Sequence, residues 1–292
     1  MTSSTYSSTS VPGEIQQAAY RHPAVIGAAR FGWVAKGVVY GLVGVLAVPI
    51  VIQGLEDDRA RNGGGEASQL GAVSEIAGSP LGVAALWIVA IGLMLYVLWR
   101  LTTVVLPGDG SAKSWLTRAG YLVSAVTYTF LAWSAVSFAT HGGKSGTETE
   151  DAKVERFTRD VMENSLGRWL IGAIGVAVVV VGIYFVYKGW RATFRDDLEP
   201  AGVGPVSHES IVTLGRIGWV GRGLVMGLVG WFLISAAIQY RASEARGFDG
   251  SLRKVADSAL GPVVVGLVAV GLILYGVFCV ISAPRQRLHG PT

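Results

Sequence analysis

Two basic side chains stand inside long apolar stretches of this sequence. Lys36 and Arg222 each follow by six residues an arginine at the head of such a stretch, Arg30 and Arg216, and a third arginine, Arg118, heads an equivalent stretch between them. Guanidinium groups gathered on one rim of a membrane protein can hold anionic lipid headgroups or a free anion, because their planar fork matches a phosphate or carboxylate. Simple anchoring is the plainer role, with Trp33, Tyr121 and Trp219 beside the arginines as an interfacial belt. Six residues are only about 9 Å along a helix. Lys36 and Arg222 are therefore expected to snorkel back to the same interface and to join Arg30, Arg118 and Arg216 as candidate anion or lipid headgroup contacts.

Other reactive residue types offer less. His22, His208 and His289 fall in the N-terminal tail, a loop and the C-terminus, and His141 in another loop, so no apolar stretch carries an imidazole for haem ligation or a proton relay. Cys279, the single cysteine, cannot form an intramolecular disulfide and reads as a small apolar residue. Glu56, Asp57 and Asp58 read as a solvated loop run, since no His or Ser motif converges on them. Gly63 to Gly65 lacks the Gly-Lys-Ser/Thr that completes a phosphate loop and reads as a flexible turn. The expectation is no metal, no cofactor and no catalysis.

The elements that must position these residues are membrane spans. Hydrophobic residues make up 51% of the 292 and charged residues only 15%, against about 25% charged in a soluble chain. Six stretches, near 33–53, 81–99, 119–138, 168–187, 218–238 and 262–282, contain no Asp or Glu and approach the roughly 20 apolar residues that cross a bilayer. Forty glycines suit close helix packing in lipid. Met1 to Tyr20 is rich in Ser and Thr with no apolar core, so it reads as a tail and not a cleaved signal peptide. Thirteen of the 24 Lys and Arg lie on the side of the termini, including those nearest span ends, while 14 of the 20 acidic residues lie on the other side. This predicts a multi-pass protein of the cell membrane with both termini cytoplasmic. No contiguous basic run suggests nucleic acid. The partner expected is the bilayer itself, anionic lipids included, and the residues name no protein partner.

Self-similarity orders the spans into three units. Each odd-numbered span opens with Arg-x-Gly-aromatic: Arg30, Gly32 and Trp33, then Arg118, Gly120 and Tyr121, then Arg216, Gly218 and Trp219. Small residues follow each arginine at offsets of seven, eleven and fourteen: Gly37, Gly41 and Gly44, then Ala125, Thr129 and Ala132, then Gly223, Gly227 and Gly230. At about 100° per residue they share one helix face suited to close packing. A short amphipathic stretch precedes each even span, and Gly92 with Tyr96 and Gly271 with Tyr275 share a spacing that the middle unit breaks near Gly182 and Tyr187. The units run 24–107, 112–198 and 210–283, between a tail at 1–23 and another at 284–292. Each crosses twice, so the repeats are parallel, related most simply by a pseudo-threefold axis along the membrane normal. The fold class is an all-α membrane protein of six transmembrane helices in three two-helix repeats. The glycine stripes are expected to meet at the centre, with the apolar even spans facing lipid.

A triplicate of two-span units opening with Arg-x-Gly-aromatic and a glycine-rich run resembles the bacterial integral membrane proteins grouped as domain of unknown function 1206. The resemblance extends from about residue 24 to residue 283 and departs most in the middle unit, where Ala125, Thr129 and Ala132 replace glycines. It implies a bacterial six-span membrane protein and brings no activity with it. Two roles fit the residues: a non-catalytic scaffold or accessory membrane protein, or a small channel or transporter, for an anion, using the pseudo-threefold axis.

Overall fold

The computed structural model describes residues 23–55, 67–68, 72–73, 76–77, 82–105, 112–140, 149–163, 165–198 and 206–286. Among the described residues the longer helices run in order α1 (Pro23–Leu55), α2 (Gly82–Val105), α3 (Ala112–Thr140), α4 (Glu150–Met162), α5 (Ser165–Arg191), α6 (His208–Gln239), α7 (Phe248–Ala256) and α8 (Gly261–Ser282). All but α4 and α7 are long and apolar enough to cross a membrane, which makes six. The N-terminal tail to residue 22, the acidic run Glu56 to Asp58, Gly63 to Gly65, His141 and the tail beyond residue 286, with His289, lie outside the described residues.

Lipid is as apolar as leucine, so membrane helices associate where small residues let backbones approach. The opening helices α1 and α6 do this against a returning helix of the neighbouring repeat. A Cβ on Gly37 would lie 2.7 Å from the Gly276 carbonyl of α8, and one on Gly44 2.8 Å from the Ala269 carbonyl. On α6, a Cβ at Gly223 would lie 2.6 Å from the Gly182 carbonyl of α5, and one at Gly230 2.8 Å from the Gly175 carbonyl. Gly41 and Gly227 have room for a Cβ of their own, while their backbones are approached by Gly276 and Gly182. The third such pairing is α3 on α2, and within repeats α1 packs on α2 and α6 on α8. The helices thus form an arc in the order α5, α6, α8, α1, α2, α3.

The returning helices differ from the perimeter expected of them. Leu86, Leu93 and Tyr96 of α2 and Leu272 and Tyr275 of α8 are fully buried. The reason is that a stripe of small residues packs closest where the facing backbone is also bare, and Gly276 and Gly182 supply such places on returning helices. Only α5 keeps a lipid-facing character, with 17% of its apolar stretch buried against 50% for α2 and α8.

At the end of the bundle away from the chain termini, α4 and α7 form a cap. Thr149 opens α4 by accepting the Ala152 amide at 3.2 Å, which satisfies one of the unpaired donors of its first turn. Val154, Val161 and Met162 turn inward against Ile171 and Leu233. Two carboxylates stitch the repeats together: Asp151 Oδ1 accepts the Gly247 amide at 2.6 Å, and Asp249 Oδ1 accepts the Ala67 amide at 2.8 Å. Asp249 also accepts Arg253 Nε at 2.7 Å.

Candidate functional site: two cations in an aromatic centre

Lys36 and Arg222 do not snorkel. Lys36 is 3% exposed, and its Nζ lies 4.9 Å from the ring centroid of Trp33, 5.4 Å from Tyr96, 5.8 Å from Tyr128 and 5.5 Å from Tyr275. The Arg222 guanidinium lies 5.0 Å from Tyr40, 4.5 Å from Phe185, 5.5 Å from Trp219 and 5.3 Å from Tyr275, and Nη1 donates to the Tyr275 hydroxyl at 2.9 Å. Snorkelling needs a side chain that faces lipid. Here α2, α3 and α8 hold the rings around Lys36, and α1, α5 and α8 hold those around Arg222, so both chains point into the bundle.

The two surroundings correspond contact by contact. Each cation meets the aromatic three residues before it (Trp33, Trp219), the aromatic of the returning helix in its own repeat (Tyr96, Tyr275) and that of the repeat before (Tyr275, Phe185). It also meets a tyrosine of another opening helix, ten residues past that helix's arginine (Tyr128, Tyr40). Phe185 is thereby the middle repeat's counterpart of Tyr96 and Tyr275, an assignment that the spacing of Gly182 and Tyr187 leaves open. The middle repeat places Ser124 where the others carry a cation. Edge-to-face ring contacts join the set, Tyr40 to Tyr275 at 5.1 Å, Tyr96 to Tyr128 at 4.9 Å and Trp219 to Tyr275 at 5.3 Å.

Magnitudes say what such a centre lacks. Desolvating an ion costs several kcal/mol, and a desolvated cation over a ring recovers up to about 2 kcal/mol, so the rings go far towards holding each charge. They do nothing for the mutual repulsion. Both cations face Tyr275 from about 5.5 Å or less, which places them no more than about 11 Å apart, a repulsion of at least about 1.5 kcal/mol at an effective dielectric of 20. Among the described residues the six spans carry no Asp or Glu beyond Glu209 in the first turn of α6. The Tyr128 hydroxyl, the indole N–H of Trp33 and Trp219 and Nε of Arg222 are buried with no hydrogen-bond partner among the described residues. Each such group costs about 1–3 kcal/mol. The centre holds two positive charges and several buried donors, and what it lacks among the described residues is a negative charge.

The remaining predicted positions lie nearer the helix entrances. Arg30, Arg118 and Arg216 come seven, six and eight residues after the first residue of α1, α3 and α6. Arg30 and Arg118 are half-buried and Arg216 is exposed. Cys279 is buried in α8 beside the stripe glycine Gly37, and among the described residues no three His, Cys, Asp or Glu side chains gather. The tyrosines were the residues that sequence reasoning passed over. Their signal was present: Tyr40 and Tyr128 share offset ten from their arginines, and Tyr96 and Tyr275 share offset four from their glycines.

The repeat frame that these contacts define coincides with a known one. Residues 31–106, 119–192 and 217–285 each match the Domain of Unknown Function (DUF1206), every match starting one residue after Arg30, Arg118 or Arg216. The chain belongs to the DUF1206 family. It is similar to an uncharacterized protein, YxxB, of Bacillus subtilis (strain 168), 29% identical over 262 residues that cover 89% of this chain and 90% of that protein. No solved structure matches. Within the DUF1206 frame, Lys36 and Arg222 occupy one and the same position of the first and third repeats, and the aromatic box is built from all three.

Proposed function

We propose that this DUF1206 protein is a non-catalytic membrane protein of the bacterial cell membrane that binds an anion between Lys36 and Arg222. The observation that carries the reading is a doubly positive, donor-rich centre with no carboxylate among its described neighbours. The contact-by-contact equivalence of the two cations supports a pseudo-threefold axis along the membrane normal, with the site on or beside it. The interface-adjacent basic residues support cytoplasmic termini. The protein then serves as a scaffold or accessory subunit whose packing responds to anion occupancy. The central place of the cations also favours a second reading, an anion channel or transporter. Backbone-to-backbone seams such as Gly37 on Gly276 oppose an open pore, and anion flux in proteoliposomes separates the two.

The binding test moves purified protein into gluconate buffer of constant ionic strength, then adds chloride, phosphate, glycerol phosphate or phosphatidylglycerol, with phosphatidylcholine as control. Melting temperature and tryptophan emission are read, since Trp33 and Trp219 border the cations. A ligand that binds only the folded state raises its melting point. At least one anion should raise it by several degrees in the wild type and not in Arg222→Met. If the wild type ignores all four, or Arg222→Met responds equally, the rings alone hold the cations and the proposal fails.

A further inference from the structure

One seam of the bundle differs from the rest. In the first repeat, a Cβ on Gly32 would lie 2.7 Å from Tyr96 Cβ, and in the third, one on Gly218 would lie 2.6 Å from Tyr275 Cα. These contacts lock α1 to α2 and α6 to α8. A Cβ on the matching glycine of the middle repeat, Gly120, would meet nothing within 4 Å among the described residues. Accordingly α3 and α5, successive spans of one repeat, show no packing comparable to the other neighbouring pairs among the described residues. Among the described residues the arc of helices is left with two free ends, and α5 is the least covered of the spans.

The inner edges of this seam are the cation site itself. Tyr128, the ring that α3 gives to Lys36, stands on one side, and Phe185, the ring that α5 gives to Arg222, on the other. A ligand passing between α3 and α5 therefore arrives at both cations and at the unpartnered Tyr128 hydroxyl. Outward, Leu122, Val126 and Phe130 of α3 and Val180 and Tyr184 of α5 are exposed and apolar. The α1–α8 and α5–α6 seams are sealed by backbone contact at Gly276 and Gly182. Among the described residues the α3–α5 seam has no such seal. Lys36 lies only about 9 Å deeper than Arg30 along the helix, which suits a headgroup drawn slightly inward of its leaflet's phosphate plane.

Resting on the anion-binding reading above, we infer that the anion is the phosphate of a membrane glycerophospholipid, which enters sideways between α3 and α5 with its acyl chains along their outer faces. Charge complementarity decides for an anionic lipid over a zwitterionic one. Two cations and several donors, with no carboxylate among the described neighbours, have nothing to offer a choline or ethanolamine group.

The test uses the full-length protein in bilayers of equal phosphatidylglycerol and phosphatidylcholine, extracted gently and followed by native mass spectrometry and lipid quantification. Gly120→Phe fills the seam at a point where the backbone has room, and Arg222→Met removes a cation. Wild type should retain stoichiometric phosphatidylglycerol in preference to phosphatidylcholine. Gly120→Phe should lose that lipid to background while keeping the melting response to phosphate or glycerol phosphate, and Arg222→Met should lose both. If Gly120→Phe retains phosphatidylglycerol like the wild type, or if the wild type shows no preference yet still responds to the small anions, lateral lipid entry is wrong and anion binding stands. A dimer that Gly120→Phe dissolves also overturns the inference, because the seam is then an interface between copies. Loss of every response in the wild type removes both proposals.

Discussion

At the residue scale, Tyr275 is the hinge of the site. Its ring faces both cations and its oxygen accepts from Arg222. A hydrogen bond to a charged group is worth about 1.5–3 kcal/mol, so Tyr275→Phe, which keeps the ring and removes the acceptor, should destabilise the protein by about that amount in detergent unfolding. A Tyr275→Phe protein as stable as the wild type would mean that the hydroxyl contributes nothing. The three entrance arginines should behave differently from Lys36 and Arg222. Anchoring needs only a basic charge, so Lys at Arg30, Arg118 and Arg216 together should leave stability and bound lipid unchanged. A loss of co-purified anionic lipid in that triple variant would assign the rim a headgroup site of its own, because a guanidinium fork is not copied by an ammonium.

At the scale of elements, burial and contact separate glycines that the sequence treats alike. Gly92 of α2 is confined, with Ala35 Cβ 2.6 Å from where its own would stand, whereas Gly41 of α1 opens onto a groove beside Val45 and Ile273. Overpacking costs about 1–3 kcal/mol, so Gly92→Leu should lower the melting temperature clearly and Gly41→Leu hardly at all. The cap carries a pH dependence. Burial lifts the Asp151 carboxyl above the usual aspartate range, partly offset by the Gly247 amide. A carboxyl raised on folding binds its proton more tightly in the folded state, so its favourable contribution is complete below the unfolded value and is lost as pH rises through the folded one. The α4–α7 contact should therefore loosen between that acidic range and neutrality, seen as falling protection of the Gly247 amide after correction for intrinsic exchange, and Asp151→Asn should flatten the change. The six apolar spans are legible in the sequence, because apolar length is a local pattern. What a stripe packs against is not local. Gly37 gives no hint that Gly276, at the far end of the chain, is its partner, and Lys36 reads as an interfacial charge until Tyr96, Tyr128 and Tyr275 are placed around it.

At the scale of the whole molecule, orientation is the first thing to measure. Single cysteines placed in a Cys279→Ala background should label from outside at Ser145 and be protected at Ser111, and the reverse pattern would invert every statement about sides. The closure of α1 on α8 then has a bearing on biosynthesis. The first span to be made packs against the last, and Tyr275 follows Lys36 by 239 residues. At about 5–20 residues per second, Lys36 waits roughly 12 to 48 s for its final ring. Throughout that interval a lysine destined for the interior must be sheltered by the insertion machinery or by its own hairpin. A chain that stalls before α8 leaves the Lys36 ammonium without its Tyr275 ring and open on that side to lipid tails, a lesion that membrane proteolysis is placed to recognise.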